Sequence, residues 1–375
     1  MVQIRCPVNE AADASRHEAA LLVPGRKIIY SEYDQYVTAT AERLRKAGCR
    51  EGDRIAISMP VGWPYAVLLF SILRIGAVAC PLDDTLPPDR LDRYLDVLGC
   101  HLVIGEESQR GKNAGRRILS QESVVAFFGE GPGFEEPPSL VADRPAAIVF
   151  ASREPGLERA VLHSFGNHYY SARGANHNIR CSSHCRWLLS TPLHDMTGLE
   201  LLFQAAVSGA ALVIPTPGED IADSVESCGI THLSLTPDQL SSLASRDDAT
   251  TKLKNVAAIL VMTSREPAPA LELARRKHLP VYPGYGLAEM AAQVATMRRD
   301  SPPAKRDTSG AVLKYREVRI ANDGEILVRG PTLFMGYVER GEVSRSLDAE
   351  GWFATGDLGS LDADGYLTVR GRKPR

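Results

Sequence analysis

Short apolar runs alternate with amphipathic stretches over most of the chain. Ser31 opens a stretch in which Val37, Ala41 and Leu44 recur at helical spacing, which predicts a helix over 27–47. Gly52-Asp53 then turns into an apolar run over 54–59, read as a strand. A helix over 63–75, a strand over 77–81, a helix over 89–98 and a short strand over 101–104 follow. Residues 106–143 are polar and rich in Gly, Pro, Ser and Arg, which predicts a surface loop with one weak strand at 123–128. Beyond a polar loop at 151–160 the alternation resumes. Its strands are expected at 186–190, 211–214, 232–235, 258–261 and 281–282, its helices at 165–174, 197–208, 219–227, 236–244 and 267–277. Near residue 309 the pattern changes to paired strands around Asn322-Asp323-Gly324 and Asp362-Ala363-Asp364-Gly365. The second tetrapeptide has acidic residues at calcium-loop spacing but no Glu at the final ligand position, so it is read as a turn.

Buried strands separated by helices argue an α/β fold with mostly parallel sheets covered by helices, followed by a small antiparallel β unit. The expected organisation is a first α/β subdomain (1–150), a second (151–305), a small β-barrel subdomain (306–370) and the start of a hinge (371–375).

The chain has 375 residues, 44% hydrophobic and 24% charged, with a net charge of −3. This gives no electrostatic reason to expect nucleic acid or an anionic membrane as partner. The most apolar stretch, Tyr65 to Leu82, contains Arg74 and ends at a proline, so it reads as a buried helix leading into a strand and no membrane span is expected. The first twelve residues lack the apolar core of a signal peptide. Seven scattered cysteines suit reduced thiols and a cytoplasmic location. His177, Cys181, His184 and Cys185 cluster, but no second ligand pair lies nearby at zinc-finger spacing, so the cluster is read as a helix-to-strand corner.

Ordered motifs carry more information. They are Gly76-Ala77 with Pro81-Leu82-Asp83; Pro192-Leu193-His194-Asp195-Met196-Thr197-Gly198; Gly284-Tyr285-Gly286-Leu287-Ala288-Glu289; Gly324-Glu325-Ile326-Leu327-Val328-Arg329-Gly330-Pro331 with Gly336-Tyr337; Trp352-Phe353-Ala354-Thr355-Gly356-Asp357; and Gly371-Arg372. In this order they resemble the adenylate-forming superfamily, which includes acyl-CoA synthetases, luciferases and peptide-synthetase adenylation domains. The resemblance implies two helix-flanked, mostly parallel sheets packed together plus a small antiparallel β-barrel. It also implies roles. Asp357 would accept from the ribose hydroxyls and Tyr285 would stack on adenine, with Gly286, Ala288 and the 264–267 segment (Ser264, Arg265, Glu266) beside the nucleotide. Glu289 would hold Mg²⁺ and serve catalysis, Arg372 would reach ribose or phosphate, and His194, Gly198 and Gly284 would line the acyl pocket, His194 acting in catalysis as well.

The departures fall in the phosphate loop. The family has a Ser/Thr/Gly-rich run followed by Pro-Lys-Gly. Here Ser152, Arg153, Glu154, Pro155, Gly156 and Leu157 precede Glu158-Arg159-Ala160, which leaves Arg159 as the cation nearest the lysine position. Pro155 lacks a backbone donor. A carboxylate about 4–6 Å from a phosphate costs on the order of 2–4 kcal/mol at an effective dielectric near 20, a penalty that multiplies for a triphosphate. The expected function is therefore a CoA ligase with a degenerate phosphate loop. It would accept a preformed acyl-adenylate, supplied by a separate adenylating enzyme, and transfer the acyl group to CoA. A hydrophobic or aryl carboxylic acid is expected from the apolar segments around the pocket. The alternatives are a complete ATP-dependent synthetase and a non-catalytic ligand-binding or scaffold protein. The family's mobile C-terminal domain would follow residue 371, so the chain is expected to be the larger domain of a longer protein.

Overall fold

The computed structural model describes residues 2–105, 116–125, 139–152, 158–262 and 269–374. Among them, two large sheets form the body. One has eight strands, ordered Glu342–Ser344, Gly336–Glu339, Glu158–Ser164, Pro145–Ser152, Val78–Pro81, Arg54–Ser58, Leu102–Gly105 and Arg117–Ser120. The other has nine, ordered Ala311–Val312, Ala292–Thr296, Val281–Leu287, Ala258–Met262, His232–Leu235, Arg186–Leu188, Ala211–Val213, Ala19–Val23 and Arg26–Ile29. The central pairings are parallel, as is the edge pair Leu102–Gly105 with Arg117–Ser120, and the other outer pairings are antiparallel. Central strands such as Ala258–Met262 and Arg54–Ser58 are buried almost throughout. Burial on both faces is why they are continuously apolar rather than alternating. The α/β architecture expected from the sequence is therefore present.

The sheets do not follow chain order. The first sheet takes strands from 54–120, from 145–164 and from 336–344, and the second takes the hairpin at 19–29 besides the strands after 186. The small β unit is a four-stranded antiparallel sheet, Glu317–Ile320, Glu325–Arg329, Phe353–Leu361 and Leu367–Arg372. In its last turn Asp362 and Asp364 both take the Lys305 ammonium at 2.6 Å. Asp362 also accepts from the backbone N–H of Asp364 and Tyr366, as the turn reading expects.

Two local expectations fail. The helix predicted from residue 27 starts at Tyr30, because Arg26–Ile29 pairs with Ala19–Val23 as a hairpin. The strand expected at 123–128 is instead a short helix over Gln121–Val124 where it is described, with the strand just before it. In both places sheet pairing captured the residues just before the helix, Arg26–Ile29 in a hairpin and Arg117–Ser120 on a sheet edge, and so set where the helix begins.

Most helices between the sheets end on their sequence signals. Ser164 caps Phe165–Ile179 by accepting from the Asn167 N–H at 3.1 Å, while the Asn167 side chain accepts the Ser164 N–H at 2.8 Å. The Asn167 amide also donates to the carbonyls of Pro331 (2.7 Å) and Leu333 (3.0 Å), tying the helix start to the segment before Gly336. Gly198 lies in the first turn of Met196–Ser208, where a Cβ would stand 2.0 Å from the Pro192 carbonyl oxygen. Gly198→Ala should therefore destabilise the protein by about 1–3 kcal/mol as an overpacked site. Urea unfolding of the variant measures this, and an unchanged midpoint would show that the 191–192 backbone yields.

Candidate nucleotide site

The strand Val281–Leu287 and the small sheet bring the polar motif residues together across a wide sequence gap. Tyr285 and Asp357 are both buried, and the Tyr285 hydroxyl donates to Asp357 Oδ2 at 2.6 Å. Asp357 pairs in register with Arg372 on the neighbouring strand, and Arg372 Nη1 reaches Asp357 Oδ1 at 3.3 Å. The aspartate is braced from below, its N–H donating to Thr355 Oγ1 (3.1 Å) and the Thr355 hydroxyl to the Ile326 carbonyl (2.7 Å). Tyr285, Asp357 and Arg372 thus form one connected polar unit. Gly286 is held tightly between strands, since a Cβ there would meet the Ala292 carbonyl oxygen at 2.3 Å.

The chain then makes a single turn of 3₁₀ helix at Ala288–Met290, followed by Ala291 and Ala292 at φ +50° and +81°. Non-glycine residues held in this region sit in a sparsely populated conformation that the surroundings must impose. Here the imposing contacts are the Ala291 carbonyl, which accepts from Ser171 Oγ at 2.5 Å, and the Ala288 carbonyl, which lies 2.7 Å from His163 Nε2. The turn carries Glu289 inward. Glu289 is 5% exposed and accepts from the Tyr337 hydroxyl at 2.6 Å. Over the Tyr337 ring lies the Arg159 guanidinium, 4.8 Å from its centre. An acidic oxygen, a phenol and a guanidinium therefore line up beside the tyrosine–aspartate unit, a donor set suited to a phosphate with or without a hard cation.

His163 is fully buried and burial pushes its imidazole down to about 4, with only the Ala288 carbonyl and the Glu289 charge opposing. It is neutral at physiological pH and acts on the turn as a hydrogen-bonding group. The sequence reading missed it, although a histidine ending an apolar strand two residues before the loop motif's helix was a visible signal. Tyr337 was read only as part of a motif, and nothing local could show that it meets Glu289 48 residues away.

The phosphate-loop reading needs one correction. Glu158 and Arg159 begin the strand Glu158–Ser164, so their side chains leave on opposite faces. Arg159 goes to Tyr337. Glu158 goes to the helix Pro88–Leu98, where it takes Arg90 Nη2 at 2.5 Å and a hydrogen bond from the Tyr94 hydroxyl. These partners hold its carboxyl below the usual range, Tyr94 contributing most. Glu158 is an engaged carboxylate on the far face and does not repel a phosphate tail beside Arg159. Arg153, Glu154, Pro155 and Gly156 lie outside the described residues, as do Ser264, Arg265, Glu266 and Pro267, and of Ser152 only the backbone is described.

The acyl-pocket residues separate. His194 is half-buried in the segment leading to Met196–Ser208, near Asp83, whose carboxyl is held low chiefly by Thr85 with His194 and Arg90 contributing. Asp195 beside it is raised by burial. At Gly198 and Gly284 the chain leaves no room for a side chain. The space a Cβ would take at Gly284 is filled by the Met262 methyl at 2.7 Å and the Ala295 carbonyl at 2.8 Å, and at Gly198 by the 191–192 backbone. Both glycines serve close packing of the chain against itself.

The chain spans most of several characterised proteins. The 2-succinylbenzoate–CoA ligase of Bacillus cereus is 28% identical over 365 residues, covering 94% of this chain and 75% of that protein. The o-succinylbenzoate CoA synthetase of Bacillus subtilis superposes with a TM-score of 0.84 in complex with its acyl-adenylate intermediate, at 24% identity, covering 99% of this chain and 79% of that one. The same enzyme in complex with ATP and magnesium gives 0.85, covering 99% and 80%. Among the described residues no helix is long and apolar enough to cross a membrane. The family model described as AMP-binding enzyme matches residues 8–338, and the chain belongs to that family.

Proposed function

We propose that the chain is the nucleotide-binding body of an acyl- or aryl-CoA ligase that works through an acyl-adenylate. The observation that carries this is the buried unit of Tyr285, Asp357 and Arg372 standing beside Glu289, Tyr337 and Arg159. A carboxylate with two oxygens and about four lone-pair sites can keep the Tyr285 bond and still accept from two ribose hydroxyls. Tyr285 offers an aromatic face to a base, and Arg372 lies within reach of the same sugar. Glu289, held in place by Tyr337, presents an oxygen ligand for Mg²⁺, a hard cation. The carbonyl of a mixed phosphate anhydride is already activated and AMP is a good leaving group. Thiol transfer then needs positioning of the CoA sulfur and stabilisation of the oxyanion. The apolar character of the segments after His194 suits a hydrophobic or aryl acid, and the relatives named for an aryl acid and CoA support that class. The organisation into 1–150, 151–305 and 306–370, with a hinge from 371, is part of this reading.

Two versions of the reaction remain, distinguished by the phosphate tail. With the Glu158 carboxylate ion-paired to Arg90 and hydrogen-bonded by Tyr94 on the face away from Arg159, one of the two carboxylates that argued against ATP is turned away. This favours a ligase that forms its own adenylate with Arg159 in the lysine's place. The other version, transfer from an adenylate made by a separate enzyme, rests on Arg153-Glu154-Pro155, on Ala288 where the family has threonine, and on Ser264-Arg265-Glu266-Pro267 where it has Gly-Gly-Ala-Pro. ATP–pyrophosphate exchange with the acid present, run on the whole protein, separates them. Exchange at ordinary ATP concentrations, weakened at least tenfold in Arg159→Ala, is the expected result. Absent exchange together with tight binding of an acyl-adenylate mimic would leave transfer only, and absence of both would leave a scaffold role.

A further inference from the structure

A thiol–imidazole cluster lies at the far end of the helix Phe165–Ile179 from the nucleotide site. The local run His177, Cys181, His184 and Cys185 does not assemble as a unit. Instead, the ligand atoms of Cys181, Cys185 and His232 all lie within 4.8 Å of one another, and His177 and His184 are not members of that group. The third member arrives by sheet pairing: Trp187, two residues after Cys185, is in parallel register with His232.

We infer that Cys181, Cys185 and His232 form a binding site for a thiophilic divalent ion, zinc(II). Three features support this. The first is distance. Tetrahedral zinc with Zn–S near 2.3 Å and Zn–N near 2.0–2.1 Å separates sulfur from nitrogen by about 3.6 Å and sulfur from sulfur by about 3.8 Å. Cys185 Sγ stands 3.9 Å from His232 Nε2, and all three ligand atoms lie within 4.8 Å of one another, so an ion is reached by side-chain adjustments of about 1 Å or less. The second is orientation of the imidazole. With the Thr231 hydroxyl donating to the Arg186 carbonyl at 3.4 Å, His232 Nδ1–H donates to Thr231 Oγ1 at 2.8 Å, and the Nε2 lone pair faces the thiols. This is the outer-shell contact that fixes a ligating histidine in its tautomer and ring orientation. The third is sulfur solvation. Each sulfur receives one N–H, Cys181 from the Trp187 indole at 3.3 Å and Cys185 from the Ser182 backbone at 3.2 Å, the donors a metal thiolate takes.

Cys185 and His232 are buried, while Cys181 lines a cavity of about 650 Å³ together with His177 and Ser208. The fourth ligand position therefore opens toward that cavity and suits a water molecule. Binding deprotonates both thiols and releases two protons to solvent. The ion would staple the end of the helix to the strands Arg186–Leu188 and His232–Leu235, fixing the second sheet against the helix whose start carries Asn167.

The test uses the whole protein, fully reduced, stripped with a chelator and titrated with zinc(II) against a chromophoric competitor. One equivalent per chain is expected, with a higher thermal midpoint when loaded. Cobalt(II) in the same site should show a thiolate charge-transfer band. Cys185→Ser and His232→Ala should each abolish stoichiometric uptake, Thr231→Val should weaken it about tenfold or more, and Cys228→Ser should leave it unchanged. Retained binding of an acyl-adenylate mimic shows that each variant is folded. No uptake by the reduced protein, or uptake that survives both Cys185→Ser and His232→Ala, overturns the site. Recovery of Cys181 and Cys185 as a disulfide that takes no zinc after reduction overturns it equally.

Discussion

Asp357→Ala is expected to weaken binding of a non-hydrolysable acyl-adenylate mimic by about 10- to 100-fold, as measured by calorimetry. Hydrogen bonds to a charged acceptor are worth about 1.5–3 kcal/mol each when a partner is removed from a buried setting. Asp357 is such an acceptor: it is 9% exposed, and its carboxylate is already oriented by the Tyr285 hydroxyl on one oxygen and Arg372 on the other. A pre-oriented carboxylate loses little entropy when the ligand arrives, so the bonds it makes appear almost fully in affinity. Two further variants divide the effect. Tyr285→Phe keeps the aromatic face and removes only the bracing hydroxyl, so a loss of less than tenfold is expected. Asp357→Asn keeps the volume, which excludes collapse of the small sheet as the cause. Unchanged affinity in Asp357→Ala would mean that the sugar does not sit at this carboxylate.

The second large effect concerns pH and a group outside the nucleotide site. Glu200 lies on the helix Met196–Ser208, fully buried, and among the described residues neither carboxyl oxygen has a hydrogen-bond partner. Its charged and polar neighbours are His168, with Nδ1 3.9 Å away, Ser171, Gln204 and the buried Arg316, the last three opposing the effect of burial. Arg316 gives its hydrogens to others: the Gln293 carbonyl at 2.7 Å, the Lys314 carbonyl at 2.9 Å and Ser171 Oγ at 2.7 Å. Burial therefore dominates and pushes the Glu200 carboxyl up to about 8. The folded protein then keeps a proton that the unfolded chain releases near pH 4.5, so this group's contribution to stability is lost as pH rises from about 4.5 to 8. At about 1.36 kcal/mol per pH unit, the loss between pH 6.5 and 8 is about 2 kcal/mol. His163 and His168, both held neutral by burial, act in the opposite sense and cost stability as pH falls below 6.5. Urea unfolding of wild type and Glu200→Gln at pH 6.5 and pH 8 isolates the carboxyl. Wild type should lose about 2 kcal/mol relative to the variant over that interval. Parallel behaviour of the two proteins would show that Glu200 ionises freely.

Two of the findings above turn on what a sequence can and cannot show. Glu158 and Arg159 are adjacent letters, and as letters they read as one charged pair in a loop. The strand sends them to opposite faces, one to Arg90 and the other to Tyr337, and these destinations decide whether the loop repels a phosphate. The cysteine cluster shows the same limit. Its histidine is 47 residues from Cys185, closer in space than His177 or His184 because a parallel strand pairing puts it there.

What the sequence determined alone was local. Apolar periodicity located most central strands of both sheets and most of the helices between them within a few residues, because burial of each element imposes its own period, and it missed outer strands such as 19–29, 292–296 and 336–344. Motif order raised the expectation that Tyr285, Glu289, Asp357 and Arg372 share one nucleotide site. The tertiary structure decided the rest: which sheet received the hairpin at 19–29, that Tyr285 meets Asp357, and that Glu200 is fully buried. Each is a contact between residues distant in the chain, and its energy depends on solvent exclusion and on the direction each side chain leaves its element, neither of which is encoded in the neighbouring letters.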